Sequence, residues 1–251
     1  TLVEPGAAIP SQGTVIPVDQ AWHDAVARAT PVEQPYDDWN AIYVISSTSG
    51  TTGAPKFIAM THLQEYFSLI ALLEPVPLPA RCRYLSVSPL YFGAGRRTCH
   101  AHLVRGDTVI LHPTMITAAE YASLVRRHKI TVGFVVPTIV RQLLQMSEGA
   151  TPVLPGVEAL ISGGAPLFGE EKRAAARAIT PNFYERYGTA ATGGIATICP
   201  TDLAEHADSV GRPHLFLDLQ IVDDDDRPVP AGTAGRLRLR GSSLGAGLAG
   251  P

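Results

Sequence analysis

TVILHPTMITAAEYASLVRRHKITVGFVVP, from Thr108 to Pro137, reads as strand, helix and strand. Thr108–Leu111 is a short apolar run with β-branched residues. Thr117 and Glu120 have the T-x-x-E spacing of a capping box and open a helix that runs to His128. Val132–Val136 is a second apolar run, stopped by Pro137. The same rhythm continues upstream. Ala41–Ser46 and Phe57–Met60 read as strands. Thr61 caps a helix whose apolar residues, Leu63, Tyr66, Phe67, Ile70 and Leu73, fall on one face. Tyr84–Val87 follows as a strand and Gly95–Val104 as a helix. Downstream come a helix at Thr138–Met146, a strand at Glu158–Ile161, a helix at Phe168–Ile179 and a strand at Phe183–Arg186. Strands that alternate with helices define an α/β fold, with parallel sheet layers flanked by helices.

Three polar, glycine-containing loops follow predicted strands: Thr48–Lys56, Ser162–Pro166 and Tyr187–Gly194. Ligands on parallel sheets sit at the carboxyl ends of strands, so these segments are expected to converge on one crevice. The pattern changes near residue 209. Leu217–Val222 and Arg236–Arg240 read as an antiparallel hairpin joined by the acidic, proline-rich Asp223–Gly235. The predicted organisation is therefore an incomplete N-terminal region (1–40), an α/β core (41–209) and a β-rich subdomain (210–251).

Composition excludes several classes. With 45% hydrophobic and 17% charged residues over 251 positions, the chain is globular. A net charge of −3 and the lack of a basic stripe argue against nucleic acid as a partner. No apolar run approaches the ~20 residues of a membrane span. Cys82, Cys99 and Cys199 are scattered and odd in number, which fits a reducing compartment, hence a cytoplasmic location. The first residues lack a signal-peptide pattern and a starting methionine, so the chain reads as a piece of something longer.

Other motifs have plain readings. Cys99-His100-Ala101-His102 lacks a second ligand pair nearby and reads as part of a helix. Asp223–Asp226 reads as a solvated hairpin tip, and Glu170–Arg173 as a solvated helix face. Ser162 stands in S-G-G-A-P, not in a hydrolase G-x-S-x-G.

The run Ser46-Ser47-Thr48-Ser49-Gly50-Thr51-Thr52-Gly53-Ala54-Pro55-Lys56 carries the functional signal. Gly50 and Gly53 let the backbone approach a ligand; Thr48, Ser49, Thr51 and Thr52 add hydroxyl donors; Lys56 adds a point charge. Only three lysines occur in the chain: Lys56, Lys129 and Lys172. Taken alone, such a loop also fits a surface hairpin turn. It is not a Walker loop, because Pro55 precedes the lysine and Phe57 follows it.

The whole string resembles the signature of the adenylate-forming (AMP-binding) superfamily: acyl-CoA synthetases, luciferases and the adenylation domains of peptide synthetases. It departs only at Phe57, where the signature has glycine. Further segments match in order: Ser88–Phe92, Val136-Pro137-Thr138, Ser162–Leu167, Tyr187-Gly188, Val210–Pro213, and Pro228–Gly232 through Leu237–Gly241. The last of these resembles the segment that leads into the family's β-barrel, so the C-terminal end is read as the start of an antiparallel barrel-like subdomain.

The resemblance implies ATP-dependent activation of a small carboxylic acid through an acyl-adenylate, with coenzyme A as the thiol acceptor. It assigns Thr48, Ser49, Gly50, Thr51, Thr52, Gly53 and Lys56 to the ATP phosphates, Lys56 being the catalytic candidate. It assigns Gly163, Gly164, Ala165 and Pro166, with Tyr187, Gly188 and Thr189, to the nucleotide. Tyr91, Phe92, Gly93, Val136 and Gly194 would border the acid. No residue is assigned as a metal ligand. The family's Tyr-Gly-x-Thr-Glu motif ends here in Ala190-Ala191, which have no oxygen to offer Mg²⁺. The family's ribose-binding aspartate and C-terminal catalytic lysine would follow residue 251, so this portion is expected to be catalytically incomplete by itself. A homodimer is the oligomeric expectation. Two alternatives stand beside the ligase: a degenerate nucleotide-binding relative without activity, and an adenylation domain that loads a carrier protein.

Overall fold

The computed structural model describes residues 2–3, 16–17, 19–30, 37–48, 56–112, 116–147, 149, 151–189 and 192–248. The chain divides into two units, Thr1–Asp38 and Trp39–Pro251. The first contains two short parallel strands, β1 (Leu2–Val3) and β2 (Ile16–Pro17), and helix α1 (Gln20–Arg28). Asp19 caps α1, its carboxylate accepting from the Trp22 amide at 2.9 Å.

In the second unit β3 (Ile42–Thr48), β4 (Lys56–Thr61) and α2 (His62–Leu73) come first. The next elements alternate: β5 (Arg83–Ser86), α3 (Gly93–Val104), β6 (Thr108–Leu111), α4 (Ala118–His128), β7 (Val132–Val135), α5 (Pro137–Gln145), β8 (Ala159–Gly163), α6 (Gly169–Ala178) and β9 (Phe183–Thr189). Then follow β10 (Gly193–Ile198), α7 (Leu203–His206), β11 (Arg212–Pro213), β12 (Leu217–Val222), β13 (Arg236–Gly241) and β14 (Ala246–Leu248).

The central sheet has the order β6-β5-β7-β8-β9-β10-β11. Strands β5 to β9 within it are parallel; β10 and β11 are antiparallel. Side chains alternate across it and build two cores. Leu85, Val135, Leu160 and Phe183 face one, with Tyr121 and Leu143 from the helices. Tyr84, Phe134, Ile161 and Tyr184 face the other, with Cys99. The three cysteines are free thiols. Among the described residues no helix is long and apolar enough to cross a membrane.

The caps follow the sequence with one change. Thr61 and Gln64 make a complete capping box: the Thr61 hydroxyl accepts from the Gln64 amide at 3.2 Å, and the Gln64 side chain accepts from the Thr61 amide at 2.9 Å. At α4 only half of the expected box forms. Thr117 accepts from the Glu120 amide at 3.2 Å, while the Glu120 carboxylate lies 3.7 Å from His112.

Three expectations are corrected. First, β3 and β4 are not strands of the parallel sheet. They pair antiparallel with each other, Thr48 opposite Lys56, and with β14 form a separate sheet. Short apolar runs carry no record of their partner's direction. Second, Tyr187–Gly194 is not a loop. Strand β9 continues to Thr189 and returns as β10, with a bulge between Gly194 and Ala196. The glycines here mark close backbone approach: a Cβ on Gly188 would lie 2.0 Å from the Gly193 carbonyl oxygen. Third, Glu170–Arg173 is not a uniformly solvated face. Glu170 is exposed and pairs with Arg173 and Arg177, but Lys172 is 2% exposed. Its ammonium lies 2.5 Å from a Glu185 carboxylate oxygen and donates to the Ser209 carbonyl at 2.9 Å. Lys172 shares the stripe of buried Ala175 and Ile179, three and seven residues on.

Removing one partner of a buried pair leaves the other charge uncompensated. Lys172→Met should therefore lower stability by about 3 kcal/mol, read by denaturant unfolding. The double variant with Glu185→Leu should recover part of that loss.

Candidate active site

The carboxyl ends of β5, β7, β8 and β9 open onto one cavity of about 740 Å³. Its walls are mostly apolar. Val87 and Phe92 come from the segment after β5, Phe134 and Val136 from β7 and its end, Ile139 from α5 and Leu72 from α2. Gly95 seats α3 against the β5 end, because a Cβ there would meet the Pro89 carbonyl at 2.4 Å.

Many of the residues singled out in the sequence meet here. Phe92, Gly93, Val136 and Gly194 line the cavity, as do Gly163, Gly164, Gly188 and Thr189. Tyr91 does not: it is 78% exposed, with its ring 4.7 Å from that of Phe92. Ala165 and Pro166, after the β8 end, and the partly exposed Tyr187, near the end of β9, are not part of the lining. Thr48 ends β3 and Lys56 begins β4, while Ser49, Gly50, Thr51, Thr52 and Gly53 lie outside the described residues. Ala190 and Ala191 also lie outside them. On either side of that pair two threonines clasp each other. The Thr189 and Thr192 hydroxyls are 3.0 Å apart, and each also accepts from the other's amide, at 3.1 and 3.2 Å.

The glycines keep this end open. A Cβ on Gly163 would lie 2.9 Å from the Arg186 carbonyl oxygen and 3.2 Å from the Phe134 ring. Gly164 has φ +90°, a conformation that favours glycine. A Cβ on Gly194 would fall 2.5 Å from the imidazole of His214.

The sequence reading missed the charged floor. Arg97, from α3, is 4% exposed, and its Nε donates to Glu65 at 3.1 Å. A second nitrogen, Nη2, meets the Met60 sulfur. Arg186, from β9, is 9% exposed and donates to the Leu72 carbonyl at 2.8 Å. Both arginines line the cavity. Burial pushes the Arg186 guanidinium down to about 10, so it stays a cation at neutral pH. His214 is buried behind Gly194, its Nε2 2.8 Å from the Thr197 hydroxyl. Burial, reinforced by the charge of Arg186, pushes it down to about 3. A signal for Arg186 was present: it shares a strand face with the aromatic Tyr184, two residues earlier.

The Cys99–His102 stretch is helical. His102 is buried, stacks on Tyr84 at 4.4 Å and lies 2.8 Å from an Asp107 carboxylate oxygen. His100 sits 2.9 Å from the Tyr43 hydroxyl. Among the described residues no group of three or more His, Cys, Asp or Glu is placed to hold a metal.

A doubly wound sheet with an apolar cavity and glycine-lined strand ends at its carboxyl edge is the architecture in which α/β proteins place their ligand sites. The chain belongs to the family of AMP-binding enzymes, whose model matches residues 5–248. Among curated relatives, a sulfoacetate–CoA ligase of Cupriavidus necator is 32% identical, over 92% of this chain and 44% of that protein. A feruloyl-CoA synthase of Amycolatopsis is 29% identical, over 81% and 41%. The chain thus spans less than half the length of these relatives. Among solved structures, the inhibitor-bound N-terminal domain of FACL13 from Mycobacterium tuberculosis has a TM-score of 0.78 at 27% identity, covering 92% of this chain and 57% of that one. The o-succinylbenzoate coenzyme A synthetase of Bacillus subtilis, in complex with ATP and magnesium, shares the fold with a TM-score of 0.78 at 22% identity, over 92% and 47%.

His214 supplies a pH signature. Its folded value, about 3, lies below its ordinary 6.5, so the folded state binds fewer protons between them. Stability therefore falls as pH drops below about 6.5. His214→Gln keeps a partner for Thr197 and removes the titration. The wild-type advantage over this variant should shrink by about 1.4 kcal/mol per pH unit below that point, read from unfolding curves at pH 7.0, 6.0 and 5.0.

Proposed function

We propose that this chain forms the nucleotide- and acid-binding part of an ATP-dependent acid–thiol ligase. A carboxylate oxygen of the acid attacks the α-phosphorus of ATP, the bond to the β-phosphate oxygen breaks, and pyrophosphate leaves. The thiol of coenzyme A then attacks the acyl carbon and AMP departs. One observation carries this reading: a single cavity is lined at once by the glycines of the β8 and β9 ends and by the apolar wall from Phe92 to Val136. The relatives named above are CoA ligases, and they act on acids as different as sulfoacetate and ferulate, so their names do not fix this chain's acid.

The nucleotide fits the residues present. Gly163, Gly164 and Gly188 leave an open cradle that a Cβ at the first or last would crowd. Tyr187 and Pro166 would flank the adenine, and Thr189 would reach phosphate. Lys56 and the loop before it would hold the leaving pyrophosphate and offset its growing charge. Magnesium fits less well. Among the described residues no aspartate or glutamate lines the cavity, and Ala190-Ala191 stand where the family has threonine and glutamate. When bound, the ion would offset phosphate charge, held by the phosphates and hydroxyls rather than by a carboxylate of this segment.

The reading extends to a cytoplasmic enzyme that acts on free small molecules and not on nucleic acid, assembled as a homodimer. Its α/β core would span 41–209 and its β-rich subdomain would begin near 210. Ala190-Ala191 favour one rival, a relative that binds nucleotide without turnover.

Acid-dependent exchange of labelled pyrophosphate into ATP, run with the intact protein and a broad acid panel, tests this. Exchange should appear, and Lys56→Ala should lower it at least ~100-fold. Nucleotide binding with no exchange for any acid would establish the non-catalytic rival. In that case Ala190→Thr combined with Ala191→Glu should create activity.

A further inference from the structure

The charge on the cavity wall is unbalanced. Among the described residues its lining contains two guanidinium groups and no carboxylate. Arg97 has a counter-ion in Glu65, which is itself buried. Arg186 has none. Its only hydrogen bond among the described residues runs from Nη2 to a neutral carbonyl, that of Leu72, and its buried Nε has no partner. His214, close by and depressed by burial, adds no anion. A buried cation without a counter-ion is unfavourable unless something bound supplies one.

The two arginines approach the same strip of backbone. A Cβ on Gly193 would lie 2.9 Å from Arg97 Nη1, and one on Gly194 would lie 3.3 Å from Arg186 Cδ. Arg97 Nη1 makes no hydrogen bond among the described residues. The guanidinium of Arg97 and the side-chain stem of Arg186 therefore flank Gly193-Gly194, and both residues line the cavity beside its apolar wall. Guanidinium forks match carboxylate and sulfonate oxygens in pairs.

The reacting carboxylate is a poor match for this charge. It loses its negative charge on becoming an acyl-adenylate, whereas Arg186 stays charged throughout. Arg186 also stands three residues before Thr189 along β9, about 10 Å at the usual strand rise, so it lies back from the end where Thr189 and Thr192 clasp. A group that keeps its charge through the reaction fits better.

We propose that the acid carries a second anionic group, a carboxylate or sulfonate remote from the reacting one, recognised by Arg186 with help from Arg97. That this acid is a substrate rests on the ligase reading; the anion pocket itself is a binding property. Calorimetry on the intact protein, with and without a non-hydrolysable ATP analogue, compares succinate and 3-sulfopropionate with butyrate. At least one dianion should bind 10-fold or more tightly than butyrate. Arg186→Leu should erase that ratio, and Arg186→Lys should keep part of it. Should the leucine variant fail to fold, the wild-type ratio and its fall of at least threefold in the lysine variant decide. Equal or better binding of butyrate by the wild type overturns the proposal. So does a leucine variant that loses both ligand classes equally, which would mark Arg186 as structural or as the holder of the reacting carboxylate. Dianion preference in binding with no acid-dependent exchange leaves the pocket standing and overturns the ligase; exchange with monoacids and no dianion preference does the reverse.

Discussion

The ion pair between Lys172 and Glu185 fixes the part of the fold on which the site depends. It joins α6 to β9 in the interior, and the other Glu185 oxygen accepts from the Leu167 amide at 2.9 Å. One carboxylate therefore ties the segment after β8 to strand β9. Because side chains alternate along a strand, placing Glu185 toward α6 sends Arg186 to the opposite face, toward the cavity. The register of that single strand sets the polarity of the site. It also presents Tyr187, Gly188 and Thr189 at the strand's end, where ligands of such sheets lie.

Around that strand the cavity is kept open by missing atoms and kept polar by few groups. Gly163, Gly188 and Gly194 stand where a Cβ would meet backbone or the His214 ring. Phe92, Phe134 and Val136 give the wall little to offer a polar ligand. His214 is held neutral, so it adds no charge beside Arg186. The field inside the cavity is thus dominated by two guanidinium groups, one matched by Glu65 and one not. In a low-dielectric setting an unmatched cation governs which ligands are tolerated.

Much of this was legible in the residues. The alternation from Tyr84 to Arg186 reported the parallel sheet, because apolar runs and amphipathic helices differ in period. The ordered motifs pointed to the family that the match over residues 5–248 then showed. Three features were not legible. Pairing direction is set by tertiary partners, so β3 and β4 were placed in the wrong sheet. Gly188, Gly193 and Gly194 were read as loop formers, although Gly188 lets two strands touch and Gly193 and Gly194 make room for Arg97 and His214. Lys172 and Arg186 are charges on buried stripes, and residue type alone assigns such charges to the surface. For these charges the missing information is which face of an element meets the core.

On the proposed reading nucleotide and acid share one cavity, with the acid's far end at Arg186. A crystal structure of the protein with 5′-O-(succinylsulfamoyl)adenosine, a stable mimic of an acyl-adenylate, tests it most directly. The account predicts adenine between Gly163-Gly164 and Tyr187-Gly188, and the free carboxylate within hydrogen-bond distance of the Arg186 guanidinium. Adenine bound elsewhere, or a terminal carboxylate turned out to solvent with Arg186 still unpaired, would contradict it.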